Sequence, residues 1–242
     1  MNKETDDPRR EFLLTALSLG LFAGANLASL FQAGHARGDI PDKLPPGRSI
    51  YRLQGDVTVD GKAADINTPV GPGSIVRTGR KSQVIFVVAN DAFILRSNSE
   101  IEMKSDAGLI IDSMRLLSGK ILSVFGRREK PHTITTSTAT IGIRGTGIYV
   151  EAETDRSYVC TCYGQTRIVA SADPGIGRDV VSKHHDQPLY VLPSAANGEL
   201  IVPAPFINHT DTELALIEEL VGRTTPFAYS GGGYEVPRKR SY

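Results

Sequence analysis

Neither sign of charge is in excess in this 242-residue chain: Lys plus Arg and Asp plus Glu each number 27. No bulk field therefore steers it toward nucleic acid or anionic lipid, and no nucleic-acid partner is expected. Cysteine is scarce, being present only as Cys160 and Cys162. Recognisable catalytic motifs are missing as well: there is no nucleophile elbow, no His-Glu-x-x-His, no phosphate-binding loop and no tightly paired acids. A cysteine nucleophile working with His184 would be trapped as a disulfide by its neighbour in an oxidising compartment, so catalysis is not expected. No convincing amphipathic helix interrupts Leu53 to Ala170, which argues against a parallel α/β sheet.

What is present is an ordinary globular composition, 40% hydrophobic and 22% charged, in a chain long enough for a substantial core. Its first 36 residues read as an export signal. Arg9 and Arg10, with Phe12 shortly after, are similar to a twin-arginine signal, although Pro8 and Leu14 depart from the usual pattern. The apolar run from Phe12 to Phe31 is diluted by Thr15, Ser18, Gly20, Gly24, Asn26 and Ser29, and is weak as a permanent anchor. Gly34-His35-Ala36 places small residues where a signal peptidase needs them, so the cut is expected after Ala36. The expected location is periplasmic or secreted. An uncut anchor over residues 12–31 is the alternative.

Residues 37–49, rich in proline, read as a linker. From Ile50 short β-type segments follow one another, with a hairpin dipeptide at Asp60-Gly61 and a more continuously apolar strand over Ser82 to Val88. Further strands are expected at Ser99 to Met103, Met114 to Leu117, Lys120 to Phe125, Thr133 to Thr136, Ile148 to Ala152, Tyr158 to Cys162 and Thr166 to Ala170. This pattern predicts an all-β domain over 50–170, a sandwich or jelly roll, with a short β-solenoid as the alternative. Residues 171–209 form an extension that either adds strands or wraps around the domain. Thr210-Asp211-Thr212-Glu213 is a capping box, and the stripe Leu214, Leu216, Ile217, Leu220 and Val221 predicts a helix over 210–222 that packs on the β-domain. A flexible basic tail, 223–242, is expected to follow.

The segments GDVTVDGK, VGPGSIVRTGRKSQVIFVVANDAFILRSNSEIEM, MRLLSGKILSVFG and ITTSTATIGIRGTGIYVE occur in that order between Leu53 and about Val169. In order and spacing they resemble the FecR domain, the extracytoplasmic domain of the ferric-citrate sensor family. The resemblance implies a binding or sensing module and no enzyme. Signalling members carry a cytoplasmic segment that contacts a sigma factor, whereas eight residues precede Arg9 here. The expectation is therefore an exported FecR-like domain whose partner is an unknown envelope protein or small ligand. Within it, Arg144-Gly145-Thr146-Gly147 reads as a tight turn or bulge in preference to an anion-binding loop.

Cys160 and Cys162 fall two apart on a strand, where residues share a face with α-carbons about 6.5 Å apart, near the upper limit for a disulfide. A packed structural pair is the reading we favour. The second is a zinc, copper or haem-iron site completed by His184 or His185 from the segment SKHHDQPLY, with His132 and His209 as further donors, and a disulfide is the third. In an extended segment His184 and His185 would face opposite ways, so one at most would reach such a site.

Overall fold

The computed structural model describes residues 44, 47–105, 110–128 and 131–227. The export signal with Arg9, Arg10 and Ala36, most of the linker and residues 228–242 of the basic tail lie outside the described residues. Among the described residues no helix is long and apolar enough to cross a membrane.

Among the described residues fourteen strands and one helix follow in order: β1 (Ile50–Gln54), β2 (Val57–Val59), β3 (Lys62–Ala63), β4 (Ile75–Thr78), β5 (Gln83–Val88), β6 (Asp91–Leu95), β7 (Glu100–Lys104), β8 (Ser113–Val124), β9 (His132–Thr135), β10 (Ala139–Ala152), β11 (Ser157–Ala170), β12 (Gly177–Ser182), β13 (Leu189–Ala196), β14 (Glu199–Pro203) and α1 (Asp211–Glu219). The fold is all-β with a C-terminal helix. Asp60 and Gly61, both at positive φ, make the two-residue turn between β2 and β3. Segments that the sequence divides are continuous: Met114–Leu117 and Lys120–Phe125 merge into β8, and Tyr158–Cys162 and Thr166–Ala170 into β11. The 171–209 extension contributes β12, β13 and β14 to the sheet.

The long strands β8, β10 and β11 each take part in two halves of the sheet. One half runs β3-β2-β4-β7-β8-β9-β10-β11-β12. The other runs β1-β5-β6-β8-β10-β11-β13-β14. Each strand passes between halves where its pairing slips. Gly119 in β8 has φ +85, and a Cβ there would come within 2.5 Å of the Ser99 α-carbon, so only glycine fits. Gly145, at φ +53, sits in the β10 bulge opposite Gly164, which makes Arg144-Gly145-Thr146-Gly147 a bend of the strand.

Side chains alternate along the second half. Phe86, Phe93, Leu95, Ile121, Val150 and Val159 face inward and share one core with Val76, Ile101, Met114, Ile134, Ile141 and Ile168 of the first half. Ile85, Ile94, Leu122, Tyr149, Tyr158, Cys160 and Cys162 face outward, and Leu214, Leu216, Ile217 and Leu220 of the helix region cover them. A sheet buried on both faces explains the unbroken apolar run of β5.

His132 lies in the inner core, 3% exposed and 4.4 Å from the Phe125 ring, with no hydrogen-bond partner for either ring nitrogen. Burial and the Arg128 guanidinium, outweighing the attraction of Asp112, lower its pKa from 6.5 to about 4. The unfolded chain therefore takes up this proton before the folded one does. Stability from this group is full above pH 6.5 and is lost as the pH falls toward 4, by about 3 kcal/mol. Urea unfolding of the His132→Phe variant is expected to lack this part of the acid destabilisation. An unchanged pH dependence would contradict it.

Candidate functional site

The outer face of the second half carries a cluster of thiol and imidazole groups. Cys160 and Cys162 are fully buried on β11, and both are free thiols. Ile148 pairs with Thr161 and Gly147 with Tyr163, leaving Cys162 as the extra residue of a bulge. A bulge re-aims side chains locally, and this one lies within the cluster. The Cys162 thiol donates to the Cys160 carbonyl at 3.7 Å.

The β12–β13 connection brings the first imidazole. Asp186 Oδ2 accepts from the backbone N–H of Lys183 at 2.7 Å, closing a turn. The His185 N–H donates to the Cys162 carbonyl at 2.9 Å, which pins that turn on β11. Because the segment is turned and His185 has φ +53, the two histidines do not diverge as an extended segment would require. Their rings lie 4.9 Å apart and both reach Asp211. His184 Nε2 donates to Asp211 Oδ2 at 2.8 Å, and His185 Nε2 donates to Asp211 Oδ1 at 3.0 Å.

The second imidazole comes from the residue before the helix N-cap. Thr210 caps α1 through the Glu213 backbone, and the Glu213 carboxylate accepts from the Thr210 N–H at 2.9 Å, completing the capping box. This fixes the chain direction at His209, whose ring stacks on Tyr149 at 4.4 Å and meets Phe206 at 4.5 Å. His209 Nδ1 donates to the Ile207 carbonyl at 2.7 Å. Its Nε2 is 3.1 Å from His185 Nδ1, which in turn lies 3.5 Å from Cys160 Sγ.

The charges of the cluster support one another. Burial opposes ionisation of Cys160, but hydrogen bonding from Cys162, His209 and His185 outweighs it and holds the thiol well below its ordinary value. Burial and the neighbouring Cys160 push Cys162 well above it. Burial would lower His185, yet its bonds to Asp211 and Cys160 raise it to about 9. Asp211 is held low against its burial by the same histidines.

Of the residues singled out in the sequence, Cys160, Cys162 and His185 come together. His184, 35% exposed, stands behind Asp211 and outside that group. His209 takes the fourth place: Cys160 Sγ, Cys162 Sγ and one ring nitrogen each of His185 and His209 lie within 4.8 Å of one another. His132 and the Arg144–Gly147 bend play no part. The imidazole beside Cys160 is that of His185 and not His184, and the thiol is fully buried, which is unlike an accessible nucleophile.

Residues 74–166 match the FecR protein family, a regulatory and non-enzymatic family. No curated protein matches the chain. Two crystal structures of a candidate anti-sigma factor from Parabacteroides distasonis are similar at 15% identity and a TM-score of 0.44, over 54% of this chain and 58% of that one. The chain thus spans little more than half the length of that protein. Cys160 and Cys162 lie inside the FecR match, whereas His185, His209 and α1 follow it.

Proposed function

We propose, from the match of residues 74–166 to the FecR family, that the chain is an exported, non-enzymatic interaction module of the bacterial cell envelope. It acts in the periplasm or at the cell surface through an envelope protein or a small ligand. The FecR match is the observation that carries this reading, and the export-type segment around Arg9, Arg10 and Ala36 supports it. The two faces of the domain suit such a role. Its C-terminal segment covers the outer face of the second half. The first half presents cross-strand ion pairs to solvent, among them Arg77–Glu100 at 2.7 Å and Arg167–Asp179 at 2.7 Å. Such exposed pairs contribute little stability and leave a polar surface.

Fractionation of cells expressing the full chain tests the reading. The wild type is expected in the periplasm, shortened by cleavage after Ala36. Replacing Arg9→Lys with Arg10→Lys is expected to leave the full-length chain in the cytoplasm. A wild-type chain confined to the cytoplasm would overturn the proposal, and unimpaired export of the double variant would overturn the twin-arginine route.

A further inference from the structure

The two imidazoles of the buried cluster are held in an orientation that calls for a cation. His209 commits its Nδ1 hydrogen to the Ile207 carbonyl, and His185 commits its Nε2 hydrogen to Asp211. In each neutral ring the remaining nitrogen then carries a lone pair. Those lone pairs, on His209 Nε2 and His185 Nδ1, point at one another across 3.1 Å. Two acceptors at that distance repel unless a positive charge sits between them. A proton on His185 would relieve that one contact, but it gives no reason for two thiols to converge on the same point.

A metal ion accounts for all four groups. Tetrahedral zinc, with Zn–S near 2.3 Å and Zn–N of 2.0–2.1 Å, requires sulfur and nitrogen ligands to lie roughly 3.5 Å apart and two nitrogens roughly 3.4 Å apart. The Cys160 Sγ–His185 Nδ1 distance is 3.5 Å and the His185 Nδ1–His209 Nε2 distance is 3.1 Å. Cys162 Sγ lies within the same 4.8 Å group. We infer that Cys160, Cys162, His185 through Nδ1 and His209 through Nε2 form a closed tetrahedral site for one zinc ion.

Two thiolates and two imidazoles in a tetrahedron suit zinc, and four protein ligands in a buried place leave no open position for substrate, which makes the site structural. The volume enclosed by atoms within 4.8 Å of one another is that of a bare ion and not of a porphyrin. Asp211 and the Ile207 carbonyl orient the two rings, and His184 orients Asp211 in turn. Thiolates held by zinc are also kept from pairing in an oxidising compartment. The site ties β11 of the FecR domain to the turn at 183–186 and to the entry of α1, and it stands whether or not the chain is exported.

The test uses the full chain, purified without a metal-affinity step, and reads zinc content together with the visible spectrum after cobalt(II) replacement. About one zinc per chain and the intense bands of tetrahedral, thiolate-bound cobalt are expected in the wild type. Cys160→Ser with Cys162→Ser, and His209→Ala, are expected to lose the ion. His184→Ala is expected to keep it. Asp211→Asn is expected to keep the same cobalt spectrum with affinity lowered about 10–100-fold. Because the cysteine variant alters two buried residues of the core and its folding is a separate matter, the wild-type cobalt spectrum serves as an independent criterion. A wild type that takes up no zinc, an octahedral cobalt spectrum, or full retention of zinc by His209→Ala would each overturn the inference. One copper per chain in place of zinc would overturn the identity of the ion.

Discussion

Removing the zinc from the folded protein with a chelator is expected to lower its melting temperature by about 10 °C. A ligand that binds only the native state stabilises it by roughly 4 kcal/mol when present at a thousand times its dissociation constant. In a chain of this length each kcal/mol is worth about 2–4 °C. The loss follows from what the ion joins. Without it, the thiols of Cys160 and Cys162 and the rings of His185 and His209, which lie within 4.8 Å of one another, lose their common partner beneath the Tyr149 and Phe206 rings. Hydrogen exchange should show the loss first around His209 and the start of α1, because those residues reach the sheet partly through the site. Differential scanning calorimetry with and without chelator checks the size of the effect. A transition unmoved by chelation would contradict it.

The second large effect is expected at Arg96, which anchors the same segment from the other side. Arg96 Nη2 donates to Glu213 Oε1 at 2.6 Å and to the Asn208 carbonyl at 3.0 Å, so one guanidinium holds both the residue before His209 and the first turn of α1. The Glu213 side chain is 4% exposed. Arg96→Met would strand this carboxylate in the interior, at a cost of about 3–5 kcal/mol. Adding Glu213→Gln removes the stranded charge while keeping an acceptor for the Thr210 N–H, and should recover more than half of the loss. Urea unfolding of the single and double variants measures both steps. A loss below about 1 kcal/mol in Arg96→Met would place this pair among surface bridges of little consequence.

Much of the fold was legible because it is governed by local chemistry. Asp60-Gly61 forms its turn through positive φ, and Thr210 with Glu213 makes the capping box expected of that spacing. The continuous apolar run of β5 was visible too, though its cause, burial on both faces, depends on a helix more than a hundred residues later. The joining of β8 and of β11 across turn-like residues was not legible. Gly119 and Gly164 fall in the gaps between the expected strands, but each lies within a bent strand, and only the pairing partners decide that.

The candidate site was half legible. Period-two geometry put Cys160 and Cys162 on one face, and the His184-His185 pair marked a donor-rich segment. The choice between the histidines could not be read, because the turn closed by Asp186 sets their directions. His209 was visible only as one more donor. Its sole local signal is its place directly before the capping box, which fixes where the chain points. That His209 meets Cys160 follows from the packing of α1 on the outer face of the sheet, a contact that no local pattern encodes.

X-ray absorption at the zinc edge, on the chain as isolated from cells, tests the central claim most directly. The account predicts a four-coordinate ion with two sulfur ligands at about 2.3 Å and two imidazole nitrogens at about 2.0 Å. Zinc with an oxygen-only shell, or a protein that carries no zinc, would contradict it.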